Sequence, residues 1–192
     1  SFSNLMSWAG LDRAHRMHKA GFLPSSTLDL DAARARAAQA LLNATKDGSL
    51  RNGPKDDTYD ASLAQAAILG FPNRDVCEST MQSIARALAV QTGGKETGFY
   101  FRYLRTDDFG RPQSSFVICS FWVVQGLARL GRMAEAQQIM AQVLTGANHL
   151  GLFSEHFVPE TRTQLGNFPQ AYSHVGLINA AFAVSPSWTT VL

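Results

Sequence analysis

Apolar residues recur at helical spacing along almost the entire chain, and this period restricts the fold more than any other feature. Phe2 to Lys19 carries Leu5, Trp8, Ala9 and Leu11 on one side and stops at Gly21, a residue suited to ending a helix. Asp29 or Asp31 is placed to cap the next helix, an Ala/Arg-rich segment running to about Asn43. A polar loop from Lys46 to Asp57 follows. A third helix is expected from about Asp60 to just before Gly70-Phe71-Pro72, and a fourth from Val76 to Val90. Ser115 to Leu130 reads as a strongly apolar helix, Met133 to Leu144 as an amphipathic one after Gly131, and Phe168 to Val184 as the last. That gives about seven helices and no convincing strand. The expectation is an all-α chain of helix hairpins, with residues 1–192 forming a single domain.

With 192 residues, 45% of them hydrophobic, there is enough apolar material for one soluble core. Seventeen Lys and Arg against fifteen Asp and Glu leave a net charge of +2 without a basic cluster, which argues against a nucleic-acid partner. The two cysteines, Cys77 and Cys119, fall within apolar-periodic segments and read as buried, reduced thiols. No His/Cys/Asp/Glu grouping has metal-ligand spacing, so neither a metal nor another cofactor is expected. No apolar run reaches membrane-spanning length and no leader opens the chain, so it reads as cytoplasmic, with no membrane partner. Ser1 falls where a helix is already under way, which suggests an artificial or processed N-terminus.

Two stretches stand apart from this helical pattern. Thr92–Ser114 contains the aromatic run Phe99-Tyr100-Phe101, and Gly146–Gly166 contains Phe153 and Phe157. Both are long, mix charge with aromatics, and precede an apolar helix. Loops of that length inside a compact domain are more often functional than idle. In a ring of helix hairpins they would gather at one end and line a shared cleft.

The second stretch carries Gly151-Leu152-Phe153-Ser154-Glu155, followed by Gly166-Asn167-Phe168-Pro169-Gln170-Ala171-Tyr172-Ser173-His174. This pairing resembles the final catalytic block of glycoside hydrolase family 15, the glucoamylase and trehalase-like enzymes. Three more blocks occur in the family's order: Trp8-Ala9-Gly10-Leu11-Asp12-Arg13, then Tyr59-Asp60-Ala61-Ser62-Leu63, then Arg102-Tyr103 with Ser120-Phe121-Trp122 downstream. The resemblance runs from about Phe2 to Ala183. It implies an (α/α)6 toroid of which about seven helices, roughly half the barrel, are present, and it makes the chain the C-terminal portion of a family 15 catalytic domain. The reaction it implies is inverting hydrolysis of α-glucosidic bonds in short glucosides such as trehalose or malto- and isomalto-oligosaccharides.

Inversion requires two carboxyl groups about 6.5–9.5 Å apart, one protonating the leaving oxygen and one activating water. By resemblance Glu155 is the base. Taken alone, a loop glutamate is more often a solvated charge, and Glu160 is the nearest rival. The family's acid lies in a Trp-Glu motif upstream of the block that Ser1-Phe2-Ser3 opens, and this sequence lacks it. The chain alone is therefore expected to be catalytically silent.

The resemblance also assigns sugar contacts. Arg102, with Tyr103 beside it, would donate to sugar hydroxyls, a task suited to the guanidinium fork; the plain reading pairs Arg102 with Asp107 or Asp108. Trp122 and Trp8 are each either core residues or sugar platforms, with core packing ahead for Trp8. His174 is either a structural hydrogen-bonder or a neighbour of the base. Asp60 reads first as a helix cap, and Asp12-Arg13 as a local ion pair. The competing function is a non-catalytic helical solenoid that binds peptides, suggested by Leu127–Arg132 and Ala134–Ala136. The spacings between Gly21, Gly70 and Gly131 exceed its period of about 34 residues and differ from each other, which counts against it. The partners expected are a small carbohydrate and, over the exposed barrel faces, either a second copy or the missing N-terminal half.

Overall fold

The structure, a computed structural model, describes residues 1–24, 28–108 and 110–187. Helices α1 (Phe2–Lys19) and α2 (Leu30–Leu42) form the opening hairpin and pack on each other. Asp29 caps α2 by accepting from the Ala32 amide at 2.9 Å, satisfying one of the donors a helix start leaves free. A 3-10 turn over Ala61–Ala64 leads into the short α3 (Gln65–Leu69). Asp60 caps that turn through the Ser62 amide at 2.8 Å, as its position in the sequence suggests. Asn73 does the same for α4 (Arg74–Leu88) through the Val76 amide.

The centre of the molecule is α5 (Val117–Arg129). It is apolar all round and buries residues on every side, as a helix must when other elements surround it. It packs against α3, α6 (Met133–Leu144) and α7 (Ala171–Val184). The α5–α7 crossing is close because Gly176 has no side chain: a Cβ there would lie 2.4 Å from Ile118 Cδ1 and within 3.2 Å of the Phe121 side chain. Cys77 and Cys119 are free and buried, as expected, and burial pushes the Cys77 thiol up to about 11.

The expectation of a purely helical chain is corrected. Among the described residues there are seven α-helices, but also three small antiparallel sheets. The hairpin β1 (Thr45–Lys46) and β2 (Ser49–Leu50) falls in the stretch expected to be a polar loop. The hairpin β3 (Ala89–Thr92) and β4 (Lys95–Tyr100) takes over Ala89 and Val90, the last residues of the expected fourth helix, and continues into the first part of the Thr92–Ser114 stretch. The third sheet joins β5 (Ser115–Phe116), β6 (His156–Val158) and β7 (Thr163–Leu165) in that order. Its physical consequence is the important one. Ser115 pairs with Phe157 and Phe116 with His156, so the two long irregular stretches meet at the N-terminal end of α5.

Candidate active site

Glu155 immediately precedes β6 and is held by its backbone from both sides. Its carbonyl accepts from the Val117 amide at 3.0 Å, and its amide donates to the Asn167 carbonyl at 3.0 Å. The side chain is held as well: Asn167 donates to Oε2 from its backbone amide at 3.2 Å and from Nδ2 at 3.0 Å. Among the described residues the hydrogen bonds to this carboxylate all fall on Oε2, which leaves Oε1 open. Gly166 permits the approach, because it adopts φ +76° and a Cβ there would sit 2.8 Å from Oε2.

From Glu155 a continuous strip of rings leads across the end of α5. His156 stacks on Phe116, centroids 5.0 Å apart and planes inclined by 20°. Phe116 meets Tyr172 edge-on at 6.5 Å, and Tyr172 meets Trp122 edge-on at 6.0 Å. The Arg102 guanidinium carbon then lies 5.8 Å from the Trp122 ring centre, within cation–π range. Arg102 is fixed by Asp60, to which its Nε donates at 2.5 Å. Its carbonyl also accepts from the Ala61 amide at 2.8 Å. Burial disfavours the charge on Arg102, but the Asp60 carboxylate outweighs it and raises the guanidinium above its ordinary range. The strip therefore offers a carboxylate at one end, a permanent cation at the other and aromatic faces between.

The structure places the sequence-derived candidates unequally. Glu155, Arg102 and Trp122 belong to this strip. Tyr103 is turned to Asp107, to which its hydroxyl donates at 2.5 Å, and this bond, with burial and the Asp107 charge, raises the phenol above its usual range. Trp8 is buried in the core and packs edge-on against Phe71 at 5.0 Å. His174 accepts from the Phe153 amide at Nε2 (3.4 Å), while Nδ1 faces the Gln170 carbonyl at 2.8 Å. It thus braces the Glu155 loop against α7, the structural role weighed above. Glu160 is exposed in the β6–β7 turn. Asp12 is buried beside Arg13, Arg16 and Arg34, so the local ion pair is part of a larger cluster. Asn167, Tyr172, Phe116 and His156 were not singled out from the sequence. The first two lie in the nine-residue block that carries the resemblance; the other two gain their place only through the β5–β6 pairing.

The sequence profile of the glycosyl hydrolases family 15 matches residues 128–182, which include Glu155, Asn167 and Tyr172. The trehalase of Mycolicibacterium smegmatis is 33% identical over 187 residues, covering 95% of this chain and 27% of that protein. The trehalase of Thermoplasma volcanium is 32% identical over 195 residues, covering 94% of this chain and 29% of its own length. Over residues 128–182 this chain is similar to glycoside hydrolase family 15, and over nearly its whole length it is similar to these trehalases. It spans under a third of the length of these two curated relatives. The fold of the chain is similar to that of solved glycosidases. One superimposes with a TM-score of 0.63 at 21% identity, and a variant in complex with glucose does so with 0.65 at 20% identity. Each alignment covers 83% of this chain and 46% of the solved one. The helical-solenoid alternative is not favoured: these relatives are glycosidases and trehalases, and sheets interrupt the helices. No helix among the described residues is long and apolar enough to cross a membrane.

Proposed function

We propose that this chain carries the base-bearing part of an inverting α-glucoside hydrolase site, with Glu155 as general base and trehalose as the first substrate to test. The observation that carries the reading is the fixed Glu155 carboxylate at the end of an aromatic strip closed by Arg102. A general base must be held within reach of its water. Two donors from Asn167 fix one oxygen and leave the other to accept the water's proton. The water oxygen then attacks the anomeric carbon as the bond to the leaving sugar oxygen breaks. That oxygen takes its proton from the acid, and two glucose molecules result from one trehalose and one water. Arg102 donates to sugar hydroxyls, and Trp122 and Tyr172 offer ring faces to the sugar's C–H groups. The names of the trehalase relatives favour trehalose over malto- or isomalto-oligosaccharides.

The acid is expected from outside this chain. Asp60, the carboxylate at the strip's other end, is buried and committed to Arg102 and the Ser62 amide. The same reading makes the chain the C-terminal part of an (α/α)6 toroid whose other helices cover the apolar side of α7. Its test is a trehalose digestion followed by proton NMR, run on this chain and on a version joined to the acid-bearing part of a family 15 relative. The joined protein should release one α- and one β-glucose per trehalose, and Glu155→Gln should reduce turnover about 10²–10⁴-fold. Asn167→Ala should reduce it less, because the base remains but is no longer held. Undiminished turnover in Glu155→Gln would refute the assignment of the base.

A further inference from the structure

Away from the Glu155 strip, α4, β4, α5 and α6 line a cavity of about 290 Å³ that opens to the surface, where Gln82, Arg86, Glu96 and Glu135 are exposed. Trp122 of α5 belongs to the strip, whereas Val123 and Leu127 of the same helix line the cavity. At a helical turn of about 3.6 residues, those positions point to a different side of α5 from Trp122. Met81, Ala85 and Ile139 complete apolar walls.

The polar groups of this cavity are unusual. Tyr100 is only 2% exposed, yet it lines the space, and among the described residues its hydroxyl has no hydrogen-bond partner. Burial raises the phenol well above its usual range, with Glu96 and Glu135 adding to the effect and Arg132 opposing it. A residue lining the cavity therefore carries a neutral hydroxyl, which can act as both donor and acceptor. The charged lining residues balance: Arg86 and Arg132 against Glu96 and Glu135. Arg132 is also locked to Glu135 through two bonds, at 2.8 and 2.6 Å. An anion or a cation would meet as much opposing as complementary charge. What the lining rewards is an uncharged molecule with apolar C–H faces and several hydroxyls, able to donate to the carboxylates, accept from Arg86 and pair with Tyr100. The volume lies at the small end of the range for ligand pockets, about 300–1,000 Å³, and suits one or two sugar rings.

We propose that this cavity is an accessory binding site for a neutral polyhydroxylated molecule, separate from the Glu155 strip. The site does not depend on the hydrolytic reading, and its test does not use turnover. Methyl groups of Met81 and Ile139 in the purified chain are followed by carbon-13 NMR while glucose, trehalose or myo-inositol is added. At least one of the three should shift both methyls saturably. Tyr100→Phe, which keeps the buried ring, should weaken that binding about five-fold for the lost hydrogen bond. Ala85→Trp, which fills the cavity, should abolish it, and Glu155→Gln should leave it unchanged. If none of the three compounds shifts Met81 and Ile139 saturably, the proposal is overturned. It is equally overturned if affinity in Tyr100→Phe equals that of the parent chain, or if acetate or tetramethylammonium reproduces the shifts.

Discussion

Arg102 and Asp60 illustrate how one residue serves structure and site together. Asp60 caps the 3-10 turn with the same oxygen, Oδ1, that accepts from Arg102 Nε. The cap was legible in the sequence because Asp before a helical run is a local signal. The ion pair was not, because its partner lies 42 residues away and helical period says nothing about such pairs. The plain reading matched Arg102 with Asp107 or Asp108, whereas Asp107 accepts from Tyr103. Arg102→Met should leave Asp60 as a buried charge with only the Ser62 amide to satisfy it. Breaking a fully buried pair costs about 3–5 kcal/mol, and because a third of the Arg102 side chain is exposed we expect about 2 kcal/mol here. Urea denaturation should show the loss, and the double variant Asp60→Asn with Arg102→Met should recover part of it. A midpoint unchanged in the single variant would mean that water satisfies Asp60. Trp8 and His174 show the opposite case, where the plain reading describes the surroundings seen: one packs in the core and the other braces a loop.

At the scale of elements, the helices were legible because each carries its own period, and α2 and α4 also open on a capping side chain, Asp29 and Asn73. Met133–Leu144 has the expected bounds, and α1 runs over Phe2–Lys19 as read. The strands were missed because they are short, but two of the three ribbons had a readable signal. Asp47-Gly48 and Gly93-Gly94 each form the two-residue turn of a hairpin, and all four residues have positive φ. Such dipeptides are the strongest short-range sign of a hairpin. The β5–β6 pairing had no local sign at all, since it joins residues about forty positions apart. The pairing is held by Ser115 Oγ donating to the Phe157 carbonyl and by the Val117 amide donating to the Glu155 carbonyl, beside α5, on which α7 packs closely at Gly176. Gly176→Ala should therefore push α7 away from Ile118 and Phe121, costing about 1–3 kcal/mol, as overpacking does. Because His174 and Tyr172 lie on the same helix, sugar binding at the strip should weaken in parallel. A thermal melt read alongside the trehalose assay of the joined protein checks both effects. Loss of stability without any change in KM or kcat would uncouple α7 from the site.

For the whole molecule, the decisive feature is the apolar side that α7 turns outward. On α7, Tyr172, Val175, Ile178 and Phe182 follow one another at intervals of three or four residues and are each about half exposed. Residues at that spacing share one helix face. This stripe begins at Tyr172, within the ring strip, so the open apolar surface is continuous with the candidate site. A patch of this kind is an interaction surface or an aggregation liability. The likeness in fold to a solved glycosidase supplies a reason for the first, since this chain matches only 46% of that protein's length. Val175→Ser with Ile178→Ser should leave the folding stability of this chain nearly unchanged, because neither side chain is buried here. The same pair should lower binding of a hydrophobic dye to the chain. In the protein joined to the acid-bearing part, the pair should instead cost stability, since each side chain would then be covered: about 1.5–3 kcal/mol is the full burial value for such residues. Equal stability losses in the two forms would place the covering contacts within this chain. No loss in either would leave the stripe facing solvent and remove the toroid's claim on α7.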